Sequence, residues 1–144
     1  MKSLESHGFS LLELSVAVLV LGLLFAFSIP AFTTFTASYQ LKSTTQNIAG
    51  QLRLAREKAI ATGAMQTLRF MAAFQGSDYH VWDGTTADPK WSLPRGITYC
   101  TGIQTQFRMT KDGRCQDSGL VMVQDRRGNR DTVSVQLSGL VLVK

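Results

Sequence analysis

Gly8-Phe9-Ser10-Leu11-Leu12-Glu13-Leu14 opens an apolar tract that runs without a charge from Leu14 to Phe32. How this stretch is read decides the fold. Its length is close to the ~20 residues with which a helix crosses a bilayer. As a secretory signal it is poorly built, because Lys2 is a thin basic start and Glu5 and Glu13 both precede the strongest part of the run. As a plain membrane anchor it leaves Glu13 unexplained, since an acid in an apolar helix costs about 2.5–3.5 kcal/mol at the bilayer centre and less near an end.

The helical pattern continues past the tract. Leu41, Ile48, Leu52, Ala55 and Ala59 follow at steps of seven, four, three and four, which marks one apolar face, and Arg53, Arg56, Glu57 and Lys58 fall mainly elsewhere. Gly63 after Thr62 is a C-terminal cap signal. A helix from Phe9 to Thr62 would be on the order of 80 Å long, too long to be buried in one small domain. Its first half needs lipid or other subunits, and its second half packs on the remainder of the chain. Beyond Gly63 the apolar period becomes two. Leu68, Phe70, Ala72 and Phe74 alternate with other residues, and further strands are expected at Tyr79–Trp82, Ile97–Cys100, Ile103–Met109, Leu120–Gln124, Thr132–Leu137 and Leu140–Val143. Gln75-Gly76-Ser77, Asp83-Gly84, Lys111-Asp112-Gly113, Arg127-Gly128-Asn129 and Ser138-Gly139 are turn signals, and Thr85 to Pro94 reads as a longer loop. The fold class is therefore α+β: a long N-terminal helix, transmembrane in its first half, packed on an antiparallel β-sheet or small sandwich.

The opening heptapeptide resembles the cleavage and methylation motif of type IV prepilins and type II secretion pseudopilins. The resemblance implies a leader at residues 1–8, cut after Gly8 by a prepilin peptidase, and N-methylation of Phe9 as the new N-terminus. It implies a helix over 9–62 with its transmembrane part at about 9–32, and a β-rich pilin head at 63–144. Glu13 lies four residues after Phe9. In the family this acid is thought to meet the N-terminal amine of a neighbouring subunit, which lowers the cost of an isolated acid in lipid. Pro30 matches a proline found in many pilin stems and predicts a kink or local melting. Gln51-Leu52-Arg53-Leu54-Ala55-Arg56-Glu57-Lys58-Ala59-Ile60 resembles the LxxARxxAI stretch of the FimT and FimU minor pilins and of the H-type minor pseudopilin. Leu93-Pro94-Arg95-Gly96-Ile97, Phe107 before Asp112-Gly113, Ser118-Gly119-Leu120, Asp125, Gly128 and the final Ser-Gly-Leu-Val fit the same group.

Few residues suggest chemistry. His7 leaves with the leader, and His80 beside Tyr79 and Trp82 reads as packing or surface. Cys100 and Cys115 are too far apart for a redox pair; an even count in an exported domain favours a disulfide, worth about 3 kcal/mol, over two buried thiols. Asp78, Asp83 and Asp88 lack the spacing of a calcium loop, and no glycine-rich phosphate loop is present. Neither an enzyme, a cofactor nor a metal site is expected. The formal net charge of +5, unchanged by loss of Lys2 and Glu5, permits contact with nucleic acid or anionic surfaces without demanding it.

The remaining cluster is Asp125-Arg126-Arg127-Gly128-Asn129-Arg130-Asp131, on a turn between two strands. Arg126, Arg127 and Arg130 suit DNA phosphates in a sequence-independent manner, although Asp125 and Asp131 offset part of the charge. FimT-type minor pilins of competent bacteria bind DNA through a C-terminal GRxR motif, and the matching end here reads Ser138-Gly139-Leu140-Val141-Leu142-Val143-Lys144. The leading expectation is a minor type IV pilin that primes or caps a filament. The alternatives are a DNA-binding minor pilin and an H-type pseudopilin of type II secretion. The implied partners are other pilins or pseudopilins, the prepilin peptidase, an inner-membrane assembly platform, membrane lipid and, in the second alternative, DNA. The implied location is the bacterial inner membrane with the head in the periplasm.

Overall fold

A computed structural model describes residues 10–74, 77–82 and 87–144. The expected leader at 1–8, the processing residues Gly8 and Phe9, and the turn residues Gln75-Gly76 and Asp83-Gly84 lie outside the described residues. The chain divides into two compact units, Met1–Thr36 and Ala37–Lys144.

Helix α1 spans Leu11–Thr62. Ser10 starts it: its hydroxyl oxygen accepts the Glu13 amide at 3.2 Å, and its carbonyl accepts the Leu14 amide at 3.1 Å. With Glu13 at the third helical position, Ser10-Leu11-Leu12-Glu13 has the S-x-x-E form of a capping box. The carboxylate also sits favourably at the positive end of the helix dipole. The local melting expected at Pro30 is not seen, because α1 is unbroken there; losing one amide donor does not interrupt a helix held by its turns on both sides. Gly63 ends the helix with φ of 67°, a conformation that costs glycine no Cβ clash.

Among the described residues eight strands follow: β1 Gln66–Phe74, β2 Ser77–Trp82, β3 Ala87–Trp91, β4 Thr98–Tyr99, β5 Gln106–Met109, β6 Gly119–Gln124, β7 Arg130–Val135 and β8 Val141–Val143. They form two four-stranded sheets in the orders β3-β2-β1-β5 and β4-β6-β7-β8. Every pairing is antiparallel. The expected α+β architecture is present, with one correction. The segment read as a loop from Thr85 to Pro94 contains β3, which pairs Trp91 with Tyr79 and Lys90 with His80. Asp88, Pro89 and Lys90 hide it, because none favours a strand. As a sheet edge, β3 tolerates a proline that a central strand would not.

The sheets meet at two seams. The Gln104 amide donates to Leu120 of β6, while the carbonyl of the next residue, Thr105, accepts Phe70 of β1 at 2.7 Å. Cys115 bridges to Met109 of β5 and donates its amide to the Leu137 carbonyl. One core fills the head. Ile48, Leu52 and Ala59 of α1 are completely buried with Leu68, Phe107 and Met109, and nearly so are Val121, Val123 and Val133. Ala49, Ala55 and Ala59 keep that helix face small enough for close approach to the sheets. Phe70 stacks on Tyr79 at 5.7 Å between centroids and meets Phe107 edge-on at 5.9 Å, and Tyr79 stacks on Trp91 at 5.4 Å. Such ring pairs add about 0.5–1.5 kcal/mol each beyond area burial.

Arg56 joins the helix to two turns. Its Nε donates to the Gly113 carbonyl at 2.8 Å. A Cβ on Gly139 would lie 2.0 Å from that carbonyl and 2.9 Å from Arg56 Nε, and one on Gly113 would lie 2.9 Å from Ile60. Asp112-Gly113, Ser138-Gly139 and the Arg56/Ile60 pair, read from sequence as separate marks, therefore meet at one joint. Replacing Gly139 by alanine is expected to cost about 3 kcal/mol or more, from backbone strain at φ of 79° plus the collision. Gly102 has the same φ with open space beyond it, so Gly102→Ala should cost only about 1 kcal/mol. Urea midpoints of the full chain in detergent check the difference.

His80, 2% exposed, sits across from Arg69 of β1 and Lys90 of β3. Burial first, then those two cations, hold its pKa below 6.5. The unfolded chain thus takes up the proton before the folded one, and stability falls as pH drops through and below about 6.5. His80→Gln should flatten the fall in urea midpoint between about pH 7.5 and about pH 5.5.

Candidate functional site

The first candidate is the outer surface of the stem. Val18, Leu19, Val20 and Leu21 are consecutive, so they point to all sides of the helix, and each is between 47% and 64% exposed. Leu11, Leu12, Leu23, Leu24 and Phe25 are exposed too. A helix that is apolar all round belongs in lipid or within other protein. Among the described residues no helix is long and apolar enough to cross a membrane. The side chains described in the uncharged tract end at Ala26, short of the ~20 residues a span requires. Glu13 is exposed in the first turn of this surface. The structure therefore shows its local role, at the third position of the helix cap.

The cysteines are corrected. No disulfide joins Cys100 and Cys115; both are free and buried. Each is held on a different sheet. The Cys100 amide bonds to Met122 of β6 and its Sγ lies 3.5 Å from Gln124 Oε1. Cys115 belongs to the β5 seam, and its Sγ donates to the Asp117 carbonyl at 3.1 Å. Asp117 in turn is gripped by both arms of Arg108, Nε to Oδ2 at 2.7 Å and Nη2 to Oδ1 at 2.8 Å, and those bonds hold its carboxyl below the usual range. The cysteine count carries no information about which sheet each thiol joins.

The basic hairpin is ordered from within. Asp125 Oδ1 accepts the amides of Arg127 at 2.8 Å and Asn129 at 2.9 Å, and its Oδ2 accepts the Asn129 side-chain amide at 2.8 Å. These bonds, led by that of the Asn129 side chain, lower its pKa. Gly128 at φ of 84° completes the turn between β6 and β7. Asp125 is thus the turn's own cap, rather than simply an offset to the arginines. Asp131 likewise accepts the Thr132 amide at 2.9 Å.

Arg126 and Arg127 line a cavity of about 400 Å³ together with Arg95 and with Ala37 and Gln40 of α1. Arg126 lies against Gly96, where an added Cβ would come within 3.1 Å of its Nε. Arg130 does not line this cavity; it is exposed at the start of β7. The structure therefore groups two of the three hairpin arginines and adds Arg95. The Pro94-Arg95-Gly96 turn is visible in the sequence, but nothing local ties it to a hairpin thirty residues later. Among the described residues no cluster of three or more His, Cys, Asp or Glu is placed to hold a metal.

With its helix, two sheets and turns described, the chain can be set beside known proteins. It aligns with the type IV minor pilin FimU of Pseudomonas aeruginosa strain PAO1 at a TM-score of 0.59, with 11% identity over 76% of this chain and 92% of that one. The chain has the pilin fold. A second crystal form of FimU aligns at 0.51 with 13% identity over 72% and 92%. The minor pseudopilin EpsH from the Type 2 Secretion System of Vibrio cholerae aligns at 0.53 with 15% identity over 73% and 96%. No family model matches the sequence, and no curated protein matches it either. At these identities the pilin fold is conveyed by the placement of core and turns.

Both thiols are expected to remain reduced. Denatured without reductant, the chain should take up two alkyl groups, one at each free cysteine. In the native state Cys115 should react slowly, since burial pushes its thiol pKa up. Intact mass before and after alkylation checks this; two adducts that appear only after reduction would restore the disulfide.

Proposed function

We propose that the protein is a non-enzymatic structural subunit of a pilus-like filament, anchored in the inner membrane by its stem with the head in the periplasm. The observation that carries this reading is the helix surface exposed and apolar on every side from Val16 to Phe25, in a chain whose head has the pilin fold. Burying so much apolar surface at about 25 cal/mol per Å² drives the stem out of water into lipid, and packing among other stems after assembly keeps it buried without a further hydrophobic gain. The uncharged sequence to Phe32 supplies the missing span. Cleavage after Gly8 and methylation of Phe9 would place an amine four residues before Glu13. A neighbour's amine beside that acid would offset its desolvation in the filament core. A curve or weak point at Pro30 would help neighbouring stems pack. As a minor pilin the subunit primes or caps filament growth. Fold likeness to both FimU and EpsH supports the pilus and secretion readings together, and scoring twitching, transformation and protein secretion after gene deletion separates them. A gel shift with no DNA retardation at either low or moderate salt would end the DNA-binding alternative.

Mass spectrometry of protein from sheared filaments should give a chain beginning at Phe9 with one added methyl; a chain retaining Met1 would overturn the processing. Glu13→Ala should leave the protein in the membrane fraction and lower its incorporation into filaments roughly tenfold or more, the scale of losing a partly buried charge pair. Unchanged incorporation would remove the assembly role from Glu13.

A further inference from the structure

The cavity between α1 and the β6–β7 turn is lined by three arginines, Arg95, Arg126 and Arg127, and by one acidic residue, Asp125. That carboxylate is already occupied by two backbone amides and the Asn129 side chain. Among the described residues the one ion pair joins Arg108 to Asp117; none of the three cavity arginines forms one there, although the Arg127 charge helps to hold the Asp125 carboxyl low. Arginine presents paired donors that match the oxygens of a phosphate. The volume of about 400 Å³ falls within the roughly 300–1,000 Å³ of small-ligand sites. Ala37 and Ile97 add an apolar wall, and Gln40 adds a neutral amide.

We propose that this cavity binds a phosphate group, and that in the anchored chain the group is the headgroup of an anionic phospholipid. The lipid source rests on the membrane-anchored reading of the stem. Ala37 and Gln40 follow Phe32, the end of the uncharged tract, by five and eight residues. Five residues reach about 8 Å as helix and at most about 18 Å when extended, whichever way stem and head are set. The headgroup layer itself begins where the hydrocarbon ends and is roughly 5–8 Å deep on each side. A cavity so close along the chain to the end of the tract is within reach of that layer. Nucleic acid is less well suited. Arg126 is laid against its own neighbouring turn at Gly96, Arg130 stands apart from the cavity, and a recess of about 400 Å³ holds one phosphate group rather than a length of strand.

The test uses the full chain in a non-ionic detergent with equal amounts of phosphatidylglycerol and phosphatidylcholine, and counts retained lipid by native mass spectrometry. Phosphatidylglycerol should be enriched. The triple variant Arg95→Gln, Arg126→Gln, Arg127→Gln should lower the enrichment by roughly tenfold or more, since each cation near a membrane surface is worth about fivefold. A control losing the same charge at exposed positions, Lys58→Gln, Lys111→Gln, Arg114→Gln, should retain it. Ala37→Phe fills the cavity without removing an arginine, and should also abolish the enrichment if the triple variant fails to fold. Equal retention of both lipids, or equal loss in test and control variants, overturns the proposal. Inorganic phosphate that displaces phosphatidylglycerol and depends on the same arginines upholds the phosphate site, and retention of inorganic phosphate without any lipid preference assigns it to the free ion. Arginine-dependent retardation of a short DNA duplex without lipid preference overturns the lipid assignment. Insertion of the wild-type chain into neutral phosphatidylcholine vesicles is scored separately. Failure there sinks the anchor reading, whereas insertion without phosphatidylglycerol preference sinks only this inference.

Discussion

Everything in the head depends on one buried helix face. Leu41, Ile48, Leu52, Ala55 and Ala59 of α1 join the inward residues of both sheets in a single core. The sheets are small: β4 has two residues and β8 has three. Neither would persist alone, because short strands without a packed face are marginal in water. The helix supplies that face, and its alanines let both sheets come close. Polar contacts then fix the fit. Arg56 bonds to the Gly113 carbonyl, and Arg53 reaches the Val141 carbonyl of the edge strand β8 at 3.2 Å. These two bonds hold the C-terminal hairpin and the turn after β5 to the same side of the helix.

The other part of α1 obeys a different constraint. From Val16 to Phe25 its surface is apolar all round, with no described residue of its own unit covering it. The cap at Ser10 and the acid at Glu13 are the only polar features its N-terminal turn contributes, apart from the Ser15 hydroxyl, which bonds back to the Leu12 carbonyl at 2.7 Å. An acid at a helix start has two physical justifications, a local one through the dipole and cap and an intermolecular one through a neighbour's amine. The first is visible in the structure. The second is part of the proposed assembly and would need a partner chain.

The head and the basic cavity illustrate how local signals combine. Asp125, Gly128 and Asn129 are ordinary turn residues, and their hydrogen bonds shape the turn that carries Arg126 and Arg127 without using the arginines' side-chain donors. The Pro94-Arg95-Gly96 turn meets them because β4, two residues further on, pairs Tyr99 with Val123 and Thr98 with Gln124 at the end of β6. Strand register thus brings Arg95 to the same cavity as the consecutive pair Arg126 and Arg127.

The sequence by itself determined the long helix, its end at Gly63, the two-residue period of most strands and the turn glycines. These follow from interactions within a few residues: hydrophobic periodicity, capping and backbone sterics. It also marked the stem, because an uncharged run of that length has few physical explanations. It misjudged Thr85–Pro94, since β3 is held at an edge by its neighbour β2 rather than by its own propensity. It paired Cys100 with Cys115 because counting thiols ignores which sheet each one joins. The separation of the thiols, the Arg56 joint between two glycine turns, and the grouping of Arg95 with Arg126 and Arg127 were decided only by tertiary structure. Each depends on contacts between residues far apart in the chain, whose proximity is set by strand order and helix packing and leaves no local trace in the sequence.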